Sequence, residues 1–210
     1  MKRIVLIGDI VSSKQITDRA LIQERLSAAL EGLNNRQDPD LASPYTITLG
    51  DEFQAVFDSA DTLFCDAISI LLALHPEQVR FSFGIGAIET PINPNRAIGM
   101  DGPAFYNARK GIEELKATPC LFNIAGMDAS QATLVKQSLR LVSHNLCKWN
   151  RNRFQVMAML CEGLPAKEIG DRVSISNTAV YKTIDAGALQ IINQLFAEVT
   201  KLINENLEQQ

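Results

Sequence analysis

The chain has two histidines and one tryptophan among 210 residues, four cysteines with no CxxC pair, and no excess of positive charge. Each shortage excludes something. Only His75 and His144 are available to complement Cys65, Cys120, Cys147 and Cys161, and no ligand spacing links them, which argues against a zinc site. The thiols read instead as reduced, half-buried small hydrophobes of a cytosolic protein. A formal net charge of −4 argues against coating nucleic acid through bulk charge, while leaving room for one small basic face. No run of about 18 uncharged apolar residues exists, so no membrane helix and no membrane partner are expected. The opening apolar run is too short for a signal peptide and is interrupted by Asp9, which points to a cytoplasmic location. There are no internal repeats and no low-complexity tracts.

What is present is an ordinary globular composition, 46% apolar and 21% charged, enough for a real core. Residues 3–8 form a β-branched run typical of a buried strand. Residues 16–34 carry apolar positions at helical spacing, from Ile16 through Leu33. A polar loop containing Pro39 and Pro44 leads to a strand over Tyr45–Leu49. Gly50-Asp51 then makes a hairpin turn into a strand around Phe53–Phe57. Residues 59–75 predict an apolar helix with Ser59 as N-cap, and Gln78–Ile88 a further strand. Residues 89–102 are loop, 103–116 helix, and Cys120–Ile124 a closing strand. This α/β (α+β) order is that of a ferredoxin-like palm with an appended unit. Expected boundaries are a palm over 1–127, a linker helix within 128–147, and an all-α helical domain over 148–210. Its last helix carries an apolar stripe through Leu189, Ile192, Leu195, Phe196, Val199 and Ile203, able to pack back on its own domain or to pair a homodimer.

Asp9 is expected to close the first strand and Asp51 to sit in the hairpin turn. If those strands are neighbours, the two carboxylates meet at one edge of the sheet and repel. A divalent cation, Mg²⁺ or Mn²⁺, relieves that repulsion and brings a nucleoside triphosphate with it. Gly-Asp turns are common, however, and Asp9 can equally cap the chain near Ser12 and Ser13.

Motifs sharpen the picture. Leu6-Ile7-Gly8-Asp9-Ile10-Val11 resembles the first-strand motif of class III nucleotidyl cyclases, in which an aspartate followed by Ile-Val binds metal. Thr48-Leu49-Gly50-Asp51-Glu52-Phe53 resembles their hairpin motif and the Gly-Asp-Glu-Phe signature of diguanylate cyclases. Phe81-Ser82-Phe83-Gly84-Ile85-Gly86 resembles the strand that follows. Together with Gly8–Ser13, Asp18-Arg19, Thr46–Gln54 and Asp101-Gly102-Pro103-Ala104-Phe105, the chain is similar to the SatD family over most of its length. The cyclase resemblance implies metal at Asp9, Ile10 and Asp51, and nucleotide contacts at Ser12, Ser13, Gly50 and Glu52. Arg19, Arg109 and Lys110 are phosphate candidates, although Arg19 is better read as part of a solvated helix face. There are departures too. Ile47 and Gly99 stand where cyclases carry base-reading side chains. Tyr106 and Lys110 align with the asparagine and arginine of the transition-state helix. Arg109 lies one position round the helix, about 100° away. The pattern is that of a degenerate nucleotide sensor more than of a competent cyclase.

Residues 150–187 predict three short helices. Gly163 ends the first, Ile169 and Val173 sit inside the second, and Ser176 caps a third whose inner face is Val180 and Ile184. The spacing of Glu168-Ile169 and of Ser176 to Val180 resembles the helix-turn-helix of response-regulator and sigma-factor families. That resemblance implies base contacts from Asn177, Thr178, Tyr181 and Lys182, with phosphates reached by Lys167, Arg172, Arg151 and Arg153. From Cys147 to Gly187 there are six Lys or Arg against four Asp or Glu, so non-specific DNA affinity should be low. A DNA-binding regulator is the leading expectation. A Mg-dependent nucleotide enzyme and a protein-contact scaffold are the alternatives.

Overall fold

The computed structural model describes residues 1–13, 18–36 and 38–208. The sheet half contains β1 (Lys2–Ile10), α1 (Arg19–Asn34), β2 (Leu41–Leu49), β3 (Glu52–Phe57), α2 (Leu63–Leu74), β4 (Val79–Ala87), α3 (Pro103–Lys116) and β5 (Phe122–Ala125). The helical half contains α4 (Ala129–Leu146), α5 (Arg151–Cys161), α6 (Ala166–Val173), α7 (Asn177–Gly187) and α8 (Leu189–Glu208).

The strands run in the order β2-β3-β1-β4-β5. β1 is antiparallel to both β3 and β4, β2 is antiparallel to β3, and β5 joins β4 in parallel. The first four strands therefore reproduce the ferredoxin-like order that the alternation of elements predicts, with β5 appended. β1 is central because its sequence is apolar on both faces, as a strand covered on both sides must be. Ile4, Leu6 and Ile10 join the core with α1 and α2, while Val5 and Ile7 meet Ala104, Ala108 and Ile112 of α3. The approach of α3 to the sheet depends on missing side chains. A Cβ on Gly84 would lie 2.2 Å from the carbonyl oxygen of Ala104, so only glycine allows this contact.

Several boundaries differ from the sequence expectation. β2 begins at Leu41 and absorbs Pro44. It is an edge strand with an irregular register against β3, the setting in which a strand tolerates proline. α2 begins at Leu63 with Thr62 at its N-cap, so Ser59 is not the cap. Residues before α2 are held by a distant side chain instead. Asn204 accepts from the Ala60 N–H at 2.7 Å and donates to Asp61 at 2.8 Å. β5 starts at Phe122 rather than Cys120. α1 starts at Arg19 behind Asp18, whose side chain accepts from the Leu21 N–H at 3.0 Å; Ile16 lies outside the described residues. Asp9 lies inside β1, one residue before its end.

The rear helices pack onto the sheet half. α8 returns across it, and Phe196 stacks on Phe64 of α2 with ring centroids 4.5 Å apart and meets Phe122 edge-on at 6.1 Å. Buried Asn206 fastens the end of α8 to the start of α4, accepting from the Asp128 N–H at 2.8 Å and donating to Gln131 at 2.9 Å. One cluster of buried apolar residues thus runs from Ile4 to Ile203. The stripe of α8 that could have paired a second copy is covered by its own chain, except Leu195, which is only partly buried.

Candidate functional site

Because β3, β1 and β4 are adjacent, their aligned residues form rows across the sheet. The row near the C-terminal end of β1 is Glu52, Asp9 and Arg80. Directly opposed residues share a face, and Asp9 has the parity of Val5 and Ile7, so the row faces α3. Gly8 precedes it for a steric reason: the Phe53 ring fills the place of a Gly8 Cβ, 2.1 Å away. The Gly-Asp pair of the first motif is therefore a ring slot followed by a charge.

Every charge in this row is answered. Arg80 Nη1 donates to Asp9 Oδ2 at 3.0 Å, and the two side chains are only 15% and 12% exposed. Arg109 of α3 makes a two-pronged pair with Glu52, with Nη2 donating to Oε1 at 2.8 Å and Nη1 to Oε2. Thr48 Oγ1 adds a donor to Glu52 Oε1 at 3.1 Å. Burial pushes the Asp9 carboxyl above its ordinary value, with nearby Asp51 adding to the rise, while the Arg80 hydrogen bond and the charge of Lys116 oppose it. The hydrogen bond to Glu52 raises the Arg109 guanidinium.

Asp51 sits beside this row, in the turn. Its side-chain Oδ2 accepts from the Ser13 hydroxyl, and its backbone carbonyl accepts from the Ile10 N–H at 3.1 Å. A divalent cation held by Asp9, Ile10 and Asp51 needs oxygens turned toward it with their charge uncompensated. Here one oxygen of Asp9 is taken by a guanidinium and one of Asp51 by a hydroxyl. Among the described residues no three His, Cys, Asp or Glu side chains group as a cation site. In this arrangement Arg80 supplies beside Asp9 the positive charge that a cation would otherwise bring.

The nucleotide candidates divide. Ser13, Gly50, Asp51, Arg19 and Gln23 line one cleft of about 10 Å³, room for one water. Ser12 is exposed at a left-handed φ of 54°. Glu52 and Arg109 are engaged with each other. Lys110 is exposed on α3, with no ion-pair partner among the described residues. Tyr106, at a transition-state position of the cyclase pattern, donates to Asp101 at 2.8 Å.

The rear helices form as their caps dictate. α6 ends at Ser174 in a left-handed turn. Ser176 Oγ accepts from the Ala179 N–H at 3.2 Å and starts α7. Val180 is fully buried, Ile184 is partly buried against the core, and Asn177, Thr178, Tyr181 and Lys182 are exposed, as is Lys167 on α6. Two of the expected phosphate contacts are otherwise employed. Arg172 pairs with Glu168 at 2.7 Å and lies 4.0 Å from Glu162. Arg151 is exposed, and it donates to the Leu72 carbonyl of α2 at 3.1 Å, tying α5 to the sheet half.

The residue that reasoning from sequence missed is Arg80. It was legible as the one charge in the apolar strand Val79–Ala87, since a charge inside a strand needs a partner. The identity of that partner required the register.

The SatD family model matches residues 3–203. The chain belongs to the SatD family. Two solved structures resemble this SatD-family protein at a distance. One, a bacterial light-regulated adenylyl cyclase, is 15% identical with a TM-score of 0.41 over 59% of this chain and 74% of that one. The other, also described as a bacterial light-regulated adenylyl cyclase, is 16% identical with a TM-score of 0.39 over 59% of this chain and 43% of that one. No curated protein sequence matches the chain. No helix among the described residues is long and apolar enough to cross a membrane.

Proposed function

We propose that this SatD-family protein is a DNA-binding regulator, in which α7 reads the major groove and the sheet half is a cyclase-like unit adapted to hold and orient the rear helices. One observation carries the reading. α7 buries Val180 inward while Asn177, Thr178, Tyr181 and Lys182 remain exposed, and its packing partners are α5, α6 and α8 rather than any strand. A short capped helix with a free polar face is what groove recognition requires. Lys167 is positioned for phosphate attraction and Lys182 adds a positive charge to the reading face, a modest total that fits weak non-specific binding. The test is a gel-shift titration of the purified chain against DNA flanking its own gene at several salt concentrations. Salt-sensitive binding that is lost in Lys182→Ala supports the reading, and no shift at any salt rejects it.

The second reading is a Mg-dependent nucleotide enzyme, favoured by the adjacency of Asp9 and Asp51, whose charges are close enough to interact. It requires Arg80 to release Asp9. Incubation with each nucleoside triphosphate plus Mg²⁺ or Mn²⁺ tests it, and turnover that vanishes in Asp51→Asn would promote it over the first.

A further inference from the structure

Away from the charged row, a groove of about 440 Å³ lies between α2 and α8, and two half-buried thiols, Cys65 and Cys161, line it. Phe64 and Phe196 line the same groove, as do Asp61 and Lys201. Cys65 Sγ lies 3.9 Å from the Cys161 carbonyl oxygen, and Cys161 Sγ lies 3.7 Å from Asn193 Oδ1. The two thiols are close enough to perturb each other, and their interaction holds Cys65 below the ordinary thiol value and pushes Cys161 above it. They are 96 residues apart in sequence, so only the packing of α5 on α2 brings them together.

We propose that Cys65 and Cys161 are a dithiol site that a hydroperoxide oxidises to a disulfide, fastening α2 to the end of α5. Cys65, which lines the groove, attacks the peroxide as its thiolate. An S–O bond forms, the O–O bond breaks, and the leaving oxygen departs as water once it has taken the thiol proton, or as alcohol for an organic hydroperoxide. The resulting sulfenic acid is attacked by the Cys161 sulfur. The S–S bond forms, and the sulfenic oxygen leaves as water with the Cys161 proton. Two thiols are oxidised by two electrons and one peroxide is reduced, so no further reactant is needed. Cys65 and Cys161 stand on α2 and α5, which pack directly against each other, and a disulfide can join cysteines whose Cα atoms are up to about 7 Å apart.

The remaining thiols serve as internal controls. Cys147 is the most exposed of the four but points at the Pro119 carbonyl, 3.9 Å away, and Cys120 is buried. If exposure alone governed oxidation, Cys147 would react first.

The test exposes the purified full chain to hydrogen peroxide, blocks free thiols with an alkylating reagent, and maps peptides without reduction. The expected result is a Cys65–Cys161 linked peptide, reversed by dithiothreitol, with Cys120 and Cys147 recovered alkylated. The oxidised chain should also melt at a higher temperature than the reduced chain. Cys65→Ser and Cys161→Ser should each abolish the link. Because the map is read on the wild-type chain, a variant that fails to fold does not remove the test. Oxidation of Cys147 while Cys65 and Cys161 remain alkylatable, or linkage of either to another partner, overturns the proposal.

Discussion

At the end of the sheet, Asp9 meets Arg80 and Glu52 meets Arg109; on α7, Asn177, Thr178, Tyr181 and Lys182 face outward, with no side-chain hydrogen bond of their own among the described residues. Both regions carry the motifs that suggest chemistry, yet they handle polar groups in opposite ways. In the first, burial makes an unanswered charge expensive, and each carboxylate has been given a guanidinium. In the second, water solvates the side chains and leaves them available. Motif residues that have been paired within the fold hold it together, whereas residues left facing solvent keep their capacity to bind. The difference is one of pairing: the residues of the first-strand and hairpin motifs are engaged within the fold, and the outer face of α7 is not.

The largest expected effect tests whether the two regions stand on one core. Phe196→Ala removes the ring stacked on Phe64 and facing Phe122, and should cost about 3–5 kcal/mol. Urea unfolding followed by Trp149 fluorescence and by far-ultraviolet circular dichroism should give coincident transitions in both the wild type and the variant. Separate transitions would show that sheet and helices are distinct folding units.

Next comes the charged row. Arg80→Ala leaves Asp9 buried without its partner and should cost about 3 kcal/mol at neutral pH. The pH dependence fixes the sign. The Asp9 carboxyl is already raised in the fold, and losing the Arg80 bond raises it further. The folded state then binds the Asp9 proton more tightly than the unfolded chain does, so the variant gains relative stability as pH falls toward the ordinary carboxylate value of about 4 and loses it as pH rises. The destabilisation should therefore be smaller at acidic pH than at neutral pH. The same variant frees a carboxylate beside Asp51. A Mg²⁺-dependent rise in melting temperature in Arg80→Ala but not in the wild type would show that the guanidinium stands in for a metal. An equal Mg²⁺ response in the wild type would break the comparison in favour of the enzyme reading.

Much of this was readable before any coordinates. The helix over Pro103–Lys116 and the Ser176 cap follow from local signals, because Pro at a helix start and a hydroxyl at an N-cap act within a turn of chain. The start of α2 was misread at Ser59 because the chain before it is held by Asn204, 144 residues from the Ala60 N–H that it accepts from. The site divided in the same way. Asp9 and Asp51 were legible as a pair, since strand neighbours and a hairpin bring them together. Their neutralisation was not, because Arg80 becomes opposite Asp9 only through the β1–β4 register, and Arg109 reaches Glu52 only through the close packing of α3 on the glycines of β4. The employment of Arg151 on α2 was hidden for the same reason.

The smallest stability effect belongs to the outer face of α7 and is the sharpest contrast with Arg80→Ala. Lys182 is exposed, so Lys182→Ala should change stability by less than about 0.5 kcal/mol. If Lys182 contacts a phosphate, removing it should weaken DNA binding across sequences and lower the slope of log affinity against log salt by about one. Asn177→Ala, at the first residue of α7 after its cap, should instead relax discrimination between DNA sequences while leaving the salt slope unchanged. Measuring both variants at several salt concentrations separates attraction from readout. Two variants with unchanged stability and unchanged DNA binding would leave α7's free face without a role in groove recognition and would move the proposed function away from DNA.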